Sequence, residues 1–281
     1  MSMREITTEE ITKTVRKLCI ESNTILGDDM IESYKRGVEK EASPEGKDIF
    51  RQLLENANIA KSEGLAACQD TGMVIVFLEL GQDVHVVGGN LNEAITEGVR
   101  QGYRDGCFRA STLDPLNRKN YGDNTPAIIH MEVVPGDKLK LSVLTKGFGG
   151  EMMSRVMVFH PAVGIEGVIK YIIERIEESG ANPCPPVIVG VGIGGTFEKA
   201  AIIAKKALLR PIGKRHSNPE VAKLEEELLE KINQLGIGPQ GLGGTITALD
   251  VHIETFPTHI ASIPVAVNIQ CHSNRHREAI L

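Results

Sequence analysis

CQDTGMVIVFLEL, residues 68–80, decides how the rest of the chain is read. A thiol, an amide and a carboxylate stand on consecutive side chains, Thr71 and Gly72 turn the chain, and an apolar run from Met73 to Leu80 follows. That run is too apolar on both faces for a strand with one side in water, so it predicts a central strand with CQDTG as the loop leading into it. Upstream, the first 64 residues read as helices. Thr7 and Glu10 have capping-box spacing ahead of Ile11, Val15 and Leu18, and Ser43-Pro44 opens a second helix carrying Ile49, Leu53 and Ala57 until Gly64 stops it.

Downstream, 91–105 reads as a helix, and 106–124, GCFRASTLDPLNRKNYGDN, as a polar loop of a length uncommon without a function. AIIHMEVV and KLKLSVL flank Pro135-Gly136-Asp137, which predicts a hairpin. A helix over 161–179 buries Ile165, Val168, Ile169, Ile172 and Ile176 on one face. PPVIVGVGIGG followed by Thr196 predicts strand, glycine turn and helix. Asn218-Pro219 caps a charged helix to Leu235, and strands return at about 245–255 and 264–270. The expected fold class is mixed α and β, with an N-terminal helical region over about 1–64 and then a mixed sheet flanked by helices. With no repeat and no linker, one domain over residues 1–281 is expected.

The composition, 41% apolar and 24% charged, is that of a globular chain able to bury a core without staples. The net charge of −6 comes without a basic stripe, which argues against nucleic acid as a partner. No apolar stretch reaches the roughly 20 residues that span a bilayer, and the first residues are charged rather than leader-like, so a cytoplasmic location without membrane contact is expected. Five cysteines, odd in number and widely spaced, do not form a secreted disulfide framework.

Gly190, Gly192 and Gly195 satisfy the G-x-G-x-x-G pattern of a dinucleotide site. The second strand with its acidic end, due about 20 residues later, is replaced by RPIGKRHSNP, so a tight helix–sheet turn is the better reading. Cys19 falls on the apolar side of the first helix and reads as a core thiol. Cys107 sits in the long loop with nothing near it that suggests chemistry. Cys68, Cys184 and Cys271 each lie at a loop beside a strand, and prolines 183, 185 and 186 stiffen the backbone around Cys184. Two readings stay open on the residues: three separate buried thiols, or one shared metal site. For the second, three distant thiolates without an obvious fourth suit an iron–sulfur cluster with one open iron better than zinc. Their neighbours Gln69, Asp70, His272, Asn274, Arg275 and His276 are polar, whereas an electron carrier gains from an apolar surround. Each also has a plainer role: Asp70 can cap the turn at Gly72, and the C-terminal His and Arg can form a solvated end.

CQDTG (68–72), FRASTLDPLNRKNYGDNTP (108–126), KGFGGEMMS (146–154), CPPVIVGVGIGGT (184–196), LGIGPQGLGGT (235–245) and CHSNRH (271–276) together resemble the alpha subunit of the two-subunit class I fumarases. More broadly they resemble the iron–sulfur hydro-lyases that include L-tartrate dehydratase. The resemblance covers nearly the whole chain and implies the iron–sulfur hydro-lyase alpha-subunit fold. It also implies a 4Fe-4S cluster held by Cys68, Cys184 and Cys271, Gln69 and Asp70 on the substrate, Arg109 paired with a substrate carboxylate, and His259 of FPTHIAS lining the site. The stretch from Lys146 to Gly150 corresponds to a loop closing on the ligand, with Gly149 at the contact. Gly150 and Met152 stand where the family has Ser and Asn, which shifts the expected contacts there to backbone N–H groups. The implied activity is reversible hydration of fumarate to L-malate, a small dicarboxylate, with Asp70 and His259 as catalytic candidates. Single-chain relatives continue into a second domain, so a separate beta subunit is the expected partner. L-tartrate dehydration is the alternative within the class, and an iron–sulfur or dinucleotide-binding protein without hydratase activity is the alternative outside it.

Overall fold

The computed structural model describes residues 4–281, and its first helix begins where side-chain chemistry lets it. Thr7 Oγ1 accepts from Glu10 N at 3.2 Å while the Glu10 carboxylate accepts from Thr7 N at 2.9 Å, so two otherwise orphaned N–H groups are satisfied reciprocally. In chain order the elements are β1 (Arg4–Thr7), α1 (Thr8–Thr24), α2 (Asp28–Lys40), α3 (Pro44–Glu63), β2 (Met73–Gly81), β3 (Val84–Val87), α4 (Leu91–Asp105), β4 (Ile128–Val134) and β5 (Leu139–Lys146). Then come α5 (Phe148–Met153), β6 (Arg155–Phe159), α6 (Gly164–Ser179), β7 (Val187–Gly194), α7 (Phe197–Ala207), α8 (Pro219–Asn233), β8 (Ala248–Phe256), β9 (Ile263–Gln270) and β10 (His276–Ile280). The mixed α and β class expected from sequence is therefore observed. No helix among the described residues is long and apolar enough to cross a membrane.

The chain divides into two units. The first comprises residues up to Gly27, Asn56–Gly147 and Arg275–Leu281; the second comprises Asp28–Glu55 and Phe148–Asn274. In the first unit a four-stranded sheet runs in the order β10-β5-β2-β4, and β1 pairs with β3 in a small parallel sheet. Ile11, Val15 and Leu18 of α1 and Ile95 and Val99 of α4 pack on Val74, Val76 and Leu78 of β2 and Leu141 and Val143 of β5. Each such side chain contributes roughly 1.5–3 kcal/mol on burial.

β2 is central, as its two apolar faces require, but the hairpin expected at 135–137 is absent. β5 pairs antiparallel with β2 on one side and β4 pairs parallel with β2 on the other, so the two predicted hairpin strands straddle β2 instead of pairing with each other. Their connection crosses the end of β2: Gly81 N donates to Lys138 O at 2.8 Å and Asp83 N to Gly136 O at 2.9 Å. Gly81 permits the crossing, since a Cβ there would lie 2.5 Å from Gly136 O. A strand apolar on both faces takes neighbours on both edges, and the turn chemistry of Pro-Gly-Asp serves a crossover as well as a hairpin.

In the second unit the order is β6-β9-β7-β8, with β7 antiparallel to β9 and parallel to β8. Ile172 and Ile176 of α6 and Leu228 and Ile232 of α8 share a core with Val189, Val191, Ile253 and Val267 of the sheet. Ala200 and Ala204 of α7 pack with Ala266. Added Cβ atoms on Gly190 and Gly192 would lie 2.1 Å from Ala204 O and Ala200 O, so these glycines exist to let α7 approach the sheet. The segment between α7 and α8 holds no strand, in keeping with the helix–sheet turn read from GVGIGG. Three short strands escaped the sequence reading, β1, β3 and β6. So did β10, where a solvated end was one reading.

Candidate functional site

In the first unit the CQDTG loop is tied into the long polar loop. Thr71 Oγ1 donates to Arg109 O at 2.8 Å, and Tyr103 Oη donates to Thr71 O at 2.5 Å. Asn124, fully buried, donates through Nδ2 to Gly72 O at 3.0 Å, while its Oδ1 accepts from Ser111 N at 2.8 Å and from Thr112 Oγ1 at 3.3 Å. Its φ of 59° is left-handed, a conformation Asn tolerates better than most residues. Gly72 has φ 74°, and a Cβ there would meet Lys146 O at 2.6 Å, so the turn requires glycine.

These bonds bring Cys68, Gln69, Asp70 and Arg109 into one neighbourhood. Cys68 and Asp70 are partly exposed, and Gln69 and Arg109 are exposed. Asp70 Oδ1 accepts from Gly72 N at 2.9 Å, so the plainer capping role is real. Burial pushes the Tyr103 hydroxyl up, which keeps it a neutral donor.

In the second unit Cys184 and Cys271 come together through backbone. β7 and β9 are antiparallel, so the start of one and the end of the other meet, and His272 N donates to Cys184 O at 3.2 Å. Cys184 is exposed with φ 54°, a left-handed conformation uncommon for a residue other than glycine and further disfavoured before a proline. It is held there from several sides. Its N donates to Ala181 O at 3.0 Å, and Pro185 O accepts from both Gln240 N (2.7 Å) and Gln240 Nε2 (2.8 Å). Tyr34 Oη donates to His272 O at 2.6 Å, fixing the Cys271 loop. Cys271 Sγ lies 3.3 Å from Ser273 Oγ.

His259 is exposed, on a loop pinned to the glycine turn by Gly195 N donating to Pro257 O at 3.2 Å. Its Nδ1 accepts from Ala261 N at 3.2 Å, which puts the proton of the neutral ring on Nε2. Gly149, expected on a closing loop, lies instead within the short helix α5. That helix is anchored by Glu151 to Lys205 (2.6 Å) and to Asn268 Nδ2 (3.2 Å), with Ser154 Oγ accepting from Ile269 N at 3.0 Å. The glycines of KGFGGEMMS read as loop-forming, but these three side-chain anchors outweigh their poor helix propensity.

None of the five cysteines is in a disulfide. Cys19 is fully buried, and burial pushes its thiol up, so it stays protonated and inert. Cys68, Cys184 and Cys271 differ in lying on loops at least partly open to solvent. Among the described residues, no three His, Cys, Asp or Glu side chains gather as a metal site. The donors do fit a thiolate-held cluster in kind: reduced thiols, on loops braced by neighbouring hydrogen bonds. Sequence reasoning missed the bracing residues Tyr34, Asn124 and Gln240. Only the quoted motifs containing Asn124 and Gln240 carried a signal for two of them.

Residues 12–280 match the family described as Fumarate hydratase (Fumerase). A putative L(+)-tartrate dehydratase subunit alpha of Methanocaldococcus jannaschii is 41% identical over 272 residues, covering 95% of this chain and 95% of that one. The L(+)-tartrate dehydratase subunit alpha of Escherichia coli is 35% identical over 278 residues, covering 98% of this chain and 91% of that one.

Proposed function

Because this chain belongs to the fumarate hydratase (Fumerase) family, as an alpha subunit of the fumarase and tartrate dehydratase hydro-lyases, we propose that it catalyses the reversible hydration of fumarate to L-malate. The observation that carries this reading is the hydrogen bond from Thr71 Oγ1 to Arg109 O, which supports a carboxylate, a cation and a thiol acting on one small anion.

Cys68, Cys184 and Cys271 are the residues that would hold a 4Fe-4S cluster. When bound, such a cluster supplies Lewis acidity at an open iron for the hydroxide that leaves or adds. The chain's own groups do the rest. Arg109 clamps a substrate carboxylate through two parallel N–H donors. Gln69 orients the dicarboxylate with its amide, and the backbone at Gly149 adds a contact. Asp70 and His259 are the groups that take or give the proton on the carbon beside the carboxylate, His259 through Nε2.

A beta subunit completes the site; the support is that the relatives are alpha subunits by name. Those names also favour a second reading, dehydration of L-tartrate. The test is anaerobic co-expression with a beta subunit, then turnover of malate, fumarate and L-tartrate under cluster-loading conditions. Activity on fumarate and malate with little on L-tartrate supports the first reading, and the reverse supports the second. Inertness toward all three in a preparation with full iron and sulfide content sinks both.

A further inference from the structure

Arg275 has no part in the reading above, and in CHSNRH it looks like a solvated terminal cation. It is instead 1% exposed and among the largest fully buried side chains. A guanidinium cannot be discharged in a protein, so a buried one needs partners to replace its water. Arg275 has them only in part. Nη1 donates to Asn23 Oδ1 at 3.2 Å, while Nε and Nη2 have no hydrogen-bond partner.

Nη2 faces Gly147. A methyl group on Gly147 would lie 3.4 Å from Arg275 Nη2 and 3.3 Å from Asp70 Oδ2, so the cation and the carboxylate border the same small volume. The absence of a side chain keeps that volume open. Both groups are held rigidly. Arg275 O accepts from Thr145 N (3.0 Å) and Thr145 Oγ1 (3.3 Å), and Asn23 is itself bound to Cys19 O at 3.0 Å. Asp70 is anchored through Oδ1 to Gly72 N.

We infer that Arg275 is a positioning residue for Asp70: its permanent charge across Gly147 holds Oδ2 in the orientation the reaction uses. Gly147 is glycine to leave that line clear. The inference rests on the hydro-lyase reading and deepens it, since it gives Asp70 a fixed partner that sequence comparison of motifs does not supply.

The test is a mutant cycle in the cluster-loaded two-subunit enzyme with Arg275→Lys, Gly147→Ala, Asp70→Asn and the doubles of each with Asp70→Asn. The readouts are kcat and KM on the active substrate, iron and sulfide content, and the thermal midpoint. Arg275→Lys keeps charge but loses the planar fork. It is expected to retain cluster content and a KM within about twofold, while kcat falls roughly 10²-fold, the scale of a misplaced catalytic group. Gly147→Ala, at a backbone torsion open to any residue, is expected to lower kcat in the same way.

The doubles are expected to be no slower than Asp70→Asn alone, because a residue acting through Asp70 has nothing left to act on. Wild-type kcat in Arg275→Lys, or losses that multiply in the doubles, overturns the inference. If Arg275→Lys does not fold, the Gly147→Ala pair carries the same cycle with the same two outcomes. A cluster-loaded wild type inert toward every dicarboxylate overturns the hydro-lyase reading and this inference with it. An active wild type with multiplying losses overturns the positioning role alone.

Discussion

Arg109 and Cys184 are two residues whose surroundings make their removal informative. Arg109 is exposed at its side chain, while its backbone is fixed at the carbonyl by Thr71, so the side chain can be truncated without disturbing a buried contact. Truncation of a well-placed donor to a developing charge costs about 3–4 kcal/mol of transition-state stabilisation. Arg109→Ala is therefore expected to lower kcat/KM by roughly 10²–10³-fold with the thermal midpoint unchanged. An unaltered kcat/KM would remove Arg109 from the reaction. Cys184 sits in a left-handed turn held by Ala181, His272 and Gln240, whereas Cys19 is a small apolar filler. Cys184→Ser is expected to lose iron and sulfide on anaerobic analysis, and Cys19→Ala to retain both. Equal cluster content in the two variants would take Cys184 out of the ligand set.

At the level of elements, the loops carrying candidate residues are set by buried polar clamps. Glu41, 1% exposed, accepts from Ser43 N (2.9 Å), Thr245 N (2.8 Å), Ile246 N (2.8 Å) and Thr245 Oγ1 (3.1 Å), so it holds the glycine-rich stretch 236–247 at its end. Burial raises its carboxyl, but those donors outweigh burial and leave it below the usual 4.5. A depressed folded value means that the unfolded chain protonates first. The contribution is complete above about pH 4.5 and is lost as pH falls through the folded value. Glu41→Gln turns an amide donor toward backbone N–H groups. It is expected to cost about 2–3 kcal/mol in denaturant titration at pH 7, and to flatten the acid limb of the stability profile. A variant with the parent's acid limb would contradict the clamp.

Gly192→Ala tests the helix–sheet contact in the same way. Its Cβ would lie 2.1 Å from Ala200 O, so α7 must shift, with an expected loss of 1–3 kcal/mol or more, the usual cost of overpacking. No shift in the denaturation midpoint would show that the helix has room to give.

At the scale of the molecule, the chain carries a net charge of −6, and no helix among the described residues is long and apolar enough to cross a membrane. The proposed beta subunit makes a direct prediction. The chain purified alone and loaded with iron and sulfide is expected to bind them and yet turn over fumarate at least about 10²-fold more slowly than the two-subunit enzyme, since withdrawing part of a catalytic constellation costs on that order. Full activity from this chain by itself would remove the partner from the proposal.

Local patterns in the sequence determined much of the protein. The capping box at Thr7, the helix stop at Gly64, the central placement of Met73 to Leu80 and the glycine turn after β7 follow from hydrogen-bonding groups and side-chain periods within a few residues of each other, so they are written in adjacent letters. The motifs carrying Cys68, Asp70, Arg109 and Cys271 were legible for the same reason. Pairings between distant segments were decided only by the tertiary structure. Whether Pro135-Gly136-Asp137 turns a hairpin or crosses over β2 depends on which edges β2 offers, and nothing in the turn records that. The burial of Arg275, the helix at 148–153 and the clamp of Gln240 on Pro185 likewise rest on partners dozens of residues away. A guanidinium reads as a surface charge in any local window, and only the packed chain shows that two of its nitrogens are enclosed, Nη2 of them beside Gly147.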